Sequence, residues 1–465
     1  MTIGSTGSDE MSLARALARA ALSIDLGRFD ANVVGKAKIC LLDFLSCAFE
    51  ARNHPWSRQA IGIAREVGNG ATVIGTRTPA SPGDAAFANA TMGHGLVRED
   101  MHAASICHHG VVIWPTLLAL SERTPLSGAT FLGAAIIGYE TGAQIGRALF
   151  SGDLARLYRP TGLVAPLGAA LAGSYALGLT EDAATSAIAI AANTSSGLNE
   201  WPRAGGSEMY FHPGFAARNA IAAIELAEAG ARASETILEG EAGLFAAFRR
   251  QPAPAGIQLF SSAEPEIMAV YNKPAPACNF AQTATQAALR VVRELGTSED
   301  IATVSIRVPE AAARYPGCDS KGPFHNALQA KMSIPFSVAA VLARSALEED
   351  NYRHIDDPKI LRLVERTDLQ SELGLTNAFP AAQGAEIFVG LRNGNTIHQR
   401  LDNVIAATPA EIRARFRHAA TGAIGEKNAL HLEELVDTCT SLSDSRVIAA
   451  RCRLEPAEQR LRPAS

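Results

Sequence analysis

The fold of the chain is decided by residues 160–180, which read PTGLVAPLGAALAGSYALGLT. The stretch has no charged residue and is long enough to raise the question of a membrane span. Because it contains Pro160 and Pro166 and consists mainly of small residues, its hydropathy is modest, and a buried helix of a globular core is the better interpretation. Small side chains let helix axes approach closely, so we place residues 162–196 in the central layer of a large helical domain.

Helical periodicity extends on both sides of this stretch. Asp30 can cap a helix that runs to about Glu50, with apolar side chains from Val33 to Ala48 on one face. Strand-like alternation is scarce before about residue 265, which predicts an all-helical domain over residues 1–265. Its other helices are predicted near residues 57–67, 83–97, 112–122, 128–150, 162–177, 181–196, 214–229 and 240–248.

The pattern changes after about residue 265. Residues 303–308 and 385–391 alternate like strands, and Arg392-Asn393-Gly394-Asn395 is a hairpin signal before a third strand at 396–400. This predicts a smaller α/β domain over residues 266–405. Helical periodicity returns over residues 406–465, and we expect this segment to pack back on the first domain. The predicted fold class is therefore mainly α, with a smaller α/β (α+β) lid domain.

The composition of the chain limits its possible binding partners and its cellular compartment. At 465 residues the chain is long enough for two domains, and its net charge of -5 gives no electrostatic footprint for nucleic acid or an anionic membrane. The seven cysteines are odd in number and form no CxxC pair, as is typical of reduced thiols in a cytosolic enzyme. The N-terminal sequence MTIGSTGSDEM lacks the features of a signal peptide, so we expect a cytoplasmic protein.

Polar residues are most concentrated between residues 93 and 110. Four of the eleven histidines, His94, His102, His108 and His109, fall within this segment between two apolar helices. A substrate pocket at the helix junction would satisfy such a cluster, although a solvated loop with incidental histidines is the simpler alternative. Metal binding by Asp100 and the last three of these histidines is a weaker alternative, because no HExxH or similar spacing is present.

Two further segments carry groups suited to an anionic ligand. Residues 200–214 combine Arg203, His212 and several glycines, and lead into a helix with Arg218, as suits a carboxylate near a helix N-terminus. Residues 271–278 form a Pro-punctuated loop with one lysine, Lys273. On its own, each segment is more often an ordinary surface loop. The position of Lys273 at the predicted domain junction favours a functional role for this residue.

Common cofactor and nucleophile motifs are missing from the sequence. There is no GxGxxG opening a βαβ unit, no GxxxxGK[ST] and no GxSxG. What remains is acid–base chemistry on a small anion without a cofactor, with His and Lys as proton carriers and Arg as carboxylate anchors.

The order of several motifs resembles the MmgE/PrpD family over nearly the whole chain. They are His94 to Pro115 with Glu99-Asp100, Tyr139-Glu140 with Arg147, Arg159 to Ala170, His212-Pro213-Gly214, Leu238-Glu239-Gly240, Lys273-Pro274 with Cys278, and Lys331 to Phe336. The resemblance implies an all-α domain built from the N-terminal part and the C-terminal tail, and an α/β lid. It also implies a homodimer and an active site in the cleft between domains.

The resemblance also assigns roles by position. His108 and Lys273 match the family's active-site histidine and lysine, Asp100 matches an aspartate of the acidic motif, and Glu99 conservatively replaces another. The sequence departs from the family pattern at Val97, Met101, Arg159, Met209, Gln282 and Phe336. Losing the Thr and Tyr hydroxyls at positions 101 and 336 removes donors to a leaving group, which favours an epimerase over a dehydratase.

Our hypothesis from the sequence is proton abstraction α to a carboxylate of a small di- or tricarboxylic acid. An epimerase or isomerase of the iminodisuccinate-epimerase kind is preferred over a lyase of the 2-methylcitrate dehydratase or cis-aconitate decarboxylase type. A metal-dependent hydrolase and a non-catalytic carboxylate-binding protein are more distant alternatives. The predicted catalytic residues are His108, Lys273, Asp100 and His102. The predicted substrate-binding residues are His94, Arg98, Glu99, His109, Arg159, Arg203, His212 and Arg218, and no cofactor or metal is predicted.

Overall fold

A computed structural model describes residues 11–454 of the chain. Its first part is helical, as the sequence predicts. Twelve helices precede residue 265: α1 (Leu13–Leu22), α2 (Ala31–Ala51), α3 (Pro55–Ile63), α4 (Pro82–His94), α5 (Gly110–Arg123), α6 (Gly128–Leu149), α7 (Gly152–Leu157), α8 (Pro160–Ala176), α9 (Glu181–Asn193), α10 (Trp201–Ala204), α11 (His212–Glu228) and α12 (Leu244–Arg249). The Asp30 side chain caps α2 by accepting from the backbone N–H groups of Asn32 and Val33, which confirms the predicted start of that helix.

The helix predicted over 57–67 is too long. Helix α3 ends at Ile63, and residues after it form strand β1 (Glu66–Thr72), which pairs antiparallel with β2 (Pro79–Ala80). Gly68 and Gly70 lower helix propensity here, and a side chain at Gly70 would collide with the backbone of Ala80 on the paired strand. The helix predicted over 83–97 likewise ends at His94, so the residues that follow are free to form a loop.

Helix α8 is the centre of the helical part. Its residues from Pro160 to Ser174 are buried, and it packs against α5, α6, α9 and α11. The closest approach is to α6, where a Cβ on Gly168 would lie 2.4 Å from the backbone oxygen of Gly138. No helix in residues 11–454 is both long and apolar enough to cross a membrane. The N-terminal residues used for the cytoplasmic prediction lie outside the described range, apart from Met11.

The second part contains the predicted sheet with one strand more than expected. Four strands, β5 (Ile301–Val308), β6 (Thr367–Ser371), β7 (Ala385–Leu391) and β8 (Thr396–Leu401), lie in the order β6-β5-β7-β8. The predicted hairpin joins β7 and β8, with Gly394 in the left-handed region at φ 89°. Strand β6 pairs parallel with β5. The helices around this sheet are α13 (Gln282–Val292), α14 (Glu310–Ala313), α15 (Ala327–Met332), α16 (Ile334–Arg344), α17 (Pro358–Glu365) and α18 (Leu373–Ala378).

The chain then returns to the helical part. Helix α19 (Pro409–Ile424) packs against α2, and α20 (Glu426–Asp437) and α21 (Arg446–Arg451) follow it. Ile412, Phe416 and Leu432 belong to the same hydrophobic core as α1 to α8, whereas the sheet and its helices share a separate core. The bounds 1–265, 266–405 and 406–465 stay predictions.

A two-residue strand pair joins the two parts at the site. Strand β3 (Met101–His102) pairs antiparallel with β4 (Val270–Tyr271), so that Met101 lies opposite Tyr271. The histidine-rich segment after α4 is thereby fixed beside the loop that carries Lys273, although 170 residues separate them in sequence.

We predict that Gly168→Ala destabilises the protein by about 1–3 kcal/mol, because the added methyl group meets backbone that cannot yield without separating α6 from α8. Gly35→Ala in α2 is the matched control, since a Cβ there meets nothing within 4 Å. This control should be neutral or stabilising by up to about 1 kcal/mol. Urea unfolding of both variants measures the difference, and equal stabilities would contradict the close packing of α6 and α8.

Candidate active site

The segment that follows α4 makes a sharp turn. Val97 adopts a left-handed backbone conformation, with φ 58°. The turn directs the Val97 carbonyl to the ammonium group of Lys273, which donates a hydrogen bond to it. Lys273 is completely buried, so this contact fixes the lysine against the histidine-rich segment.

Glu99 lies at the centre of the buried polar groups and is 1% exposed. Its Oε1 accepts a hydrogen bond from Nδ1 of His94 at 2.6 Å and lies 3.1 Å from Nδ1 of His108. Burial alone would raise the pKa of Glu99, but the rings of His94 and His108 and the charge of Lys273 outweigh burial and hold it well below its usual range. Glu99 is therefore a carboxylate, and its Oε2 has no hydrogen-bond partner among residues 11–454.

His108 is held as a neutral imidazole with one free nitrogen. Its Nδ1 lies 2.7 Å from the backbone oxygen of Asp100. Because a carbonyl can only accept, Nδ1 carries the hydrogen and Nε2 carries the lone pair in the neutral ring. Burial lowers the pKa of His108 well below its usual value. The ring can thus accept a proton at Nε2.

Arg159 and His94 form a second contact with this cluster. Arg159 precedes α8, and its Nη2 donates to Nε2 of His94 at 3.1 Å, while the other ring nitrogen donates to Glu99. His212, at the start of α11, is close to both Arg159 and His94. Burial and, to a smaller extent, the positive charge of Arg159 lower the pKa of His212 to about 3. Nδ1 of His212 has no hydrogen-bond partner within the described residues.

Lys273 and Cys278 belong to one braced loop. Burial lowers the pKa of Lys273, against the opposing charge of Glu99. The thiols of Cys278 and Cys318 lie 3.7 Å apart, and the hydrogen bond from Cys318 lowers the pKa of Cys278 to about 7. The side-chain amide of Gln282 bonds to backbone groups of residues 275, 277 and 278, so Gln282 positions the loop and has no group left for a ligand.

A small cavity lies where these groups meet. Its volume is about 20 Å³, room for about one water molecule. The surrounding side chains come from the helical part and from the lid, and are Val97, Met101, Ile106, His108, Arg159, Met209, Cys278, Asn279, Phe280, Tyr315 and Met332. Tyr315 belongs to no motif in the sequence, and its hydroxyl accepts from Nδ2 of Asn199 at 3.3 Å. Burial raises its pKa, so the hydroxyl keeps its proton.

Two predicted site residues, His102 and His109, face away from this cavity. Nε2 of His102 bonds to Glu266 at 2.8 Å, and its Nδ1 bonds to Ser105, which also contacts His109 at 3.0 Å. The carboxylate of Asp100 has partners other than the histidines. That carboxylate accepts from Tyr139 and from the backbone N–H of Gly110, and burial raises its pKa to about 7. Asp100 contacts His108 only through its backbone oxygen.

Three predicted carboxylate anchors lie elsewhere. Arg98 points away from its neighbour Glu99 and pairs with Glu50 at 2.7 Å beside a different cavity. Arg203 is exposed on the short helix α10, and Arg218 pairs with Asp84 over the ring of Phe87. The sequence identifies these three arginines but does not predict in which direction each side chain points.

Met101, Met209 and Phe336 are three of the positions at which the sequence departs from the family pattern. Met101 and Met209 border the cavity, while Phe336 is packed in the lid core between Phe324 and Tyr352. Among residues 11–454, no three His, Cys, Asp or Glu side chains are grouped so that they could hold one metal ion.

Comparison with family models agrees with this arrangement of two parts. A model described as the MmgE/PrpD N-terminal domain matches residues 15–256, and one described as the MmgE/PrpD C-terminal domain matches residues 275–440. The chain belongs to the MmgE/PrpD family. Both the helical part and the lid are thus shared with this family.

Curated relatives of this MmgE/PrpD protein are named as decarboxylases and dehydratases. Cis-aconitate decarboxylase of Aspergillus terreus is 32% identical over 223 residues, which make up 46% of this chain and 45% of that enzyme. The chain therefore spans less than half the length of that relative. Cis-aconitate decarboxylase of Homo sapiens is 24% identical over 94% of each chain, and 2-methylcitrate dehydratase of Cupriavidus necator is 26% identical over 74% of each chain.

We predict that the protein loses stability as the pH falls below about 6.5, because its buried histidines stay neutral in the folded state and take up protons when the chain unfolds. His212 is a clear case, since burial lowers its folded pKa to about 3. Its contribution is intact above pH 6.5 and is lost between that pH and about 3. His212→Leu should reduce the loss between pH 7 and pH 5 by about 2 kcal/mol in urea unfolding. His431→Leu, at an exposed position of α20, should leave it unchanged.

Proposed function

We propose that the protein is a lyase that acts on a small di- or tricarboxylic acid, with proton transfer by His108 and Lys273 and without a cofactor. The observation that carries the proposal is that His108 and Lys273 both act on the buried carboxylate of Glu99, and that His108 and Arg159 border one cavity. The decarboxylase and dehydratase names of the relatives support the substrate class.

The charges around the cavity suit a carboxylate substrate. Arg159 and a protonated Lys273 contribute two positive charges, Glu99 contributes one negative charge, and the buried histidines are neutral. One positive charge is therefore left for a substrate carboxylate. Arg159 is the anchor that we expect to bind it, because a guanidinium meets a carboxylate in a planar, two-pronged contact.

Proton transfer follows from the states of the two catalytic residues. Nε2 of the neutral His108 can remove a proton from the carbon next to a carboxylate, and the charge that develops there is stabilised by the nearby cations. In a dehydration the departing hydroxide takes a proton and leaves as water. In a decarboxylation CO2 leaves, and the electron pair that remains on carbon takes the proton. Lys273, with its lowered pKa, is the proposed donor in either case.

Tyr315 changes the choice between a lyase and an epimerase. The preference for an epimerase rested on the hydroxyl groups missing at Met101 and Phe336. Tyr315 brings a protonated hydroxyl to the same cavity from another part of the lid. Tyr315 can donate a proton to a leaving group, which is the function that the missing hydroxyl groups would serve. For this reason, and because the relatives are named as decarboxylases and dehydratases, we propose a lyase in preference to an epimerase.

Substrate binding requires movement of the lid. A cavity of about 20 Å³ cannot hold a tricarboxylate, and its walls come from both parts of the chain. Separation of the lid from the helical part would admit the substrate, and closure would exclude water from the charged groups. The homodimer implied by the family resemblance stays a prediction.

The reaction type is tested by incubating the protein separately with cis-aconitate, 2-methylcitrate and iminodisuccinate. Proton NMR follows alkene signals and stereochemical inversion, and a coupled assay follows CO2. We expect CO2 release or a change in the alkene signals without inversion. Inversion alone would identify an epimerase and contradict the lyase proposal, and absence of turnover with every polycarboxylate would contradict the proposed substrate class.

We predict that His108→Gln and Lys273→Met each lower kcat by about 10²–10⁴-fold, because each removes a proton-transfer group. Tyr315→Phe should lower kcat by at least about tenfold, with a smaller change in KM. His102→Gln is the matched control, since His102 is a buried histidine of the same segment that bonds to Glu266 away from the cavity. If this control lost as much activity as His108→Gln, with both proteins folded, the assigned roles would be wrong.

A further inference from the structure

A large cavity in the described part of the chain lies outside the candidate active site. Its volume is about 890 Å³, and none of its residues borders the small cavity at His108. It lies between α13 of the lid and α19 of the C-terminal segment, near the end of α16. Basic side chains line it from the C-terminal end of α13, from α19, from the loop after α4 and from the segment after α16: Arg98, Arg290, Arg293, Arg353, Arg415 and His418.

The acidic residues of this cavity already have partners. Glu50 accepts from Arg98 at 2.7 Å, and Glu349 accepts from the buried Lys331 at 2.6 Å. Asp350 pairs with Arg344 and lies 3.9 Å from Arg353, and Glu411 forms the capping box of α19 with Thr408. Only Glu348, which is exposed, is without such a contact in the described residues. These acids therefore do little to neutralise the remaining arginines.

Several of the basic groups have no acidic partner. No hydrogen bond or ion pair within residues 11–454 engages the side chains of Arg290 and Arg293, which lie one turn apart on α13. Arg415 donates only to backbone oxygens, those of Lys273 at 3.0 Å and Pro274 at 2.6 Å. Arg98 does pair with Glu50 through Nη2, but it is 6% exposed and its Nε is buried without a hydrogen-bond partner among residues 11–454. A buried guanidinium nitrogen without an acceptor is costly unless a ligand supplies one.

We propose that this cavity, called here the arginine cavity, binds a small multivalent oxyanion, either a phosphate compound or a polycarboxylate. Arg290 and Arg293 on α13 and Arg415 on α19 would contact it from opposite walls. Guanidinium groups suit this ligand class because their N–H groups pair with the oxygens of phosphates and carboxylates.

The arginine cavity is connected to the candidate active site through backbone. Arg415 holds the carbonyls of Lys273 and Pro274, and Arg98 follows Val97, whose carbonyl binds the Lys273 ammonium group. An anion that binds Arg98 or Arg415 would therefore change the contacts that hold the Lys273 loop in place. This makes the arginine cavity an effector site for the proposed lyase. The coupling to activity rests on that proposed function, whereas the binding itself does not.

Binding is tested by isothermal titration of the full chain with inorganic pyrophosphate and, separately, with citrate, at constant ionic strength. We expect saturable binding of at least one of them, weakened tenfold or more in Arg290→Gln/Arg293→Gln. The matched control is Arg58→Gln/Arg232→Gln, which removes the same charge at exposed positions outside the cavity and should bind like the wild type. Binding of pyrophosphate alone identifies a phosphate ligand, and binding of citrate alone identifies a polycarboxylate. No saturable binding, or equal binding by both double variants, would overturn the proposal.

A second variant separates the two sites. Arg159→Gln removes the proposed substrate anchor and should leave the titration unchanged if the anion binds in the arginine cavity. Loss of binding in Arg159→Gln would place the anion at the candidate active site and overturn the inference. This result is independent of turnover, so a failure to find a lyase substrate does not affect it.

The coupling is tested by hydrogen exchange. Saturating anion should slow backbone exchange over residues 272–282 in the wild type by at least about threefold, and should not do so in Arg290→Gln/Arg293→Gln. Binding without slower exchange over these residues would contradict the effector role.

Discussion

The structure depends on keeping one carboxylate, that of Glu99, charged in a buried position. A buried charge is stable only with opposite charge and hydrogen bonds around it. Here Lys273 provides the charge, and Nδ1 of His94 and Nδ1 of His108 lie within 3.1 Å of the carboxylate. Each of these partners comes from a different place: the end of α4, the start of α5 and the loop after β4. The short strand pair between β3 and β4 is therefore as important to the site as the larger sheet, because it fixes the distance between the histidine-rich segment and Lys273.

Two cavities flank the Lys273 loop and have different chemistry. The small one brings His108, Arg159 and Tyr315 together. The larger one presents arginines of which three, Arg290, Arg293 and Arg415, form no ion pair within residues 11–454. Gln282 and Arg415 bind the backbone of the loop from within the lid and from α19, so both parts of the chain control its position. Movement of the lid would change both cavities at once. This is the physical basis for expecting communication between an anion in the arginine cavity and catalysis.

Much of the architecture could be predicted from the sequence because it depends on local patterns. Helical periodicity located most helices, and alternation located β5, β7 and β8. Strand β6 was not predicted, because Thr367 is its only fully buried residue and its sequence therefore shows no alternation of apolar and polar residues. In the candidate site, His94, His108, Glu99, Arg159 and Lys273 lie together, and their roles in a reaction stay predictions. The directions of Arg98, Arg203, Arg218, His102 and His109 depend on turns such as that at Val97, and Tyr315 enters from a loop with no motif of its own.

The central claim, that Glu99 is an ionised carboxylate on which its neighbours depend, is tested most directly by the stability of Glu99→Gln at pH 7. The substitution keeps the shape of the side chain and removes its charge, which leaves Arg159 and Lys273 buried without compensation. Urea unfolding should show a loss of about 3–5 kcal/mol relative to wild type. A variant within about 0.5 kcal/mol of wild type would show that the carboxylate is not charged in the folded protein, and would contradict this account.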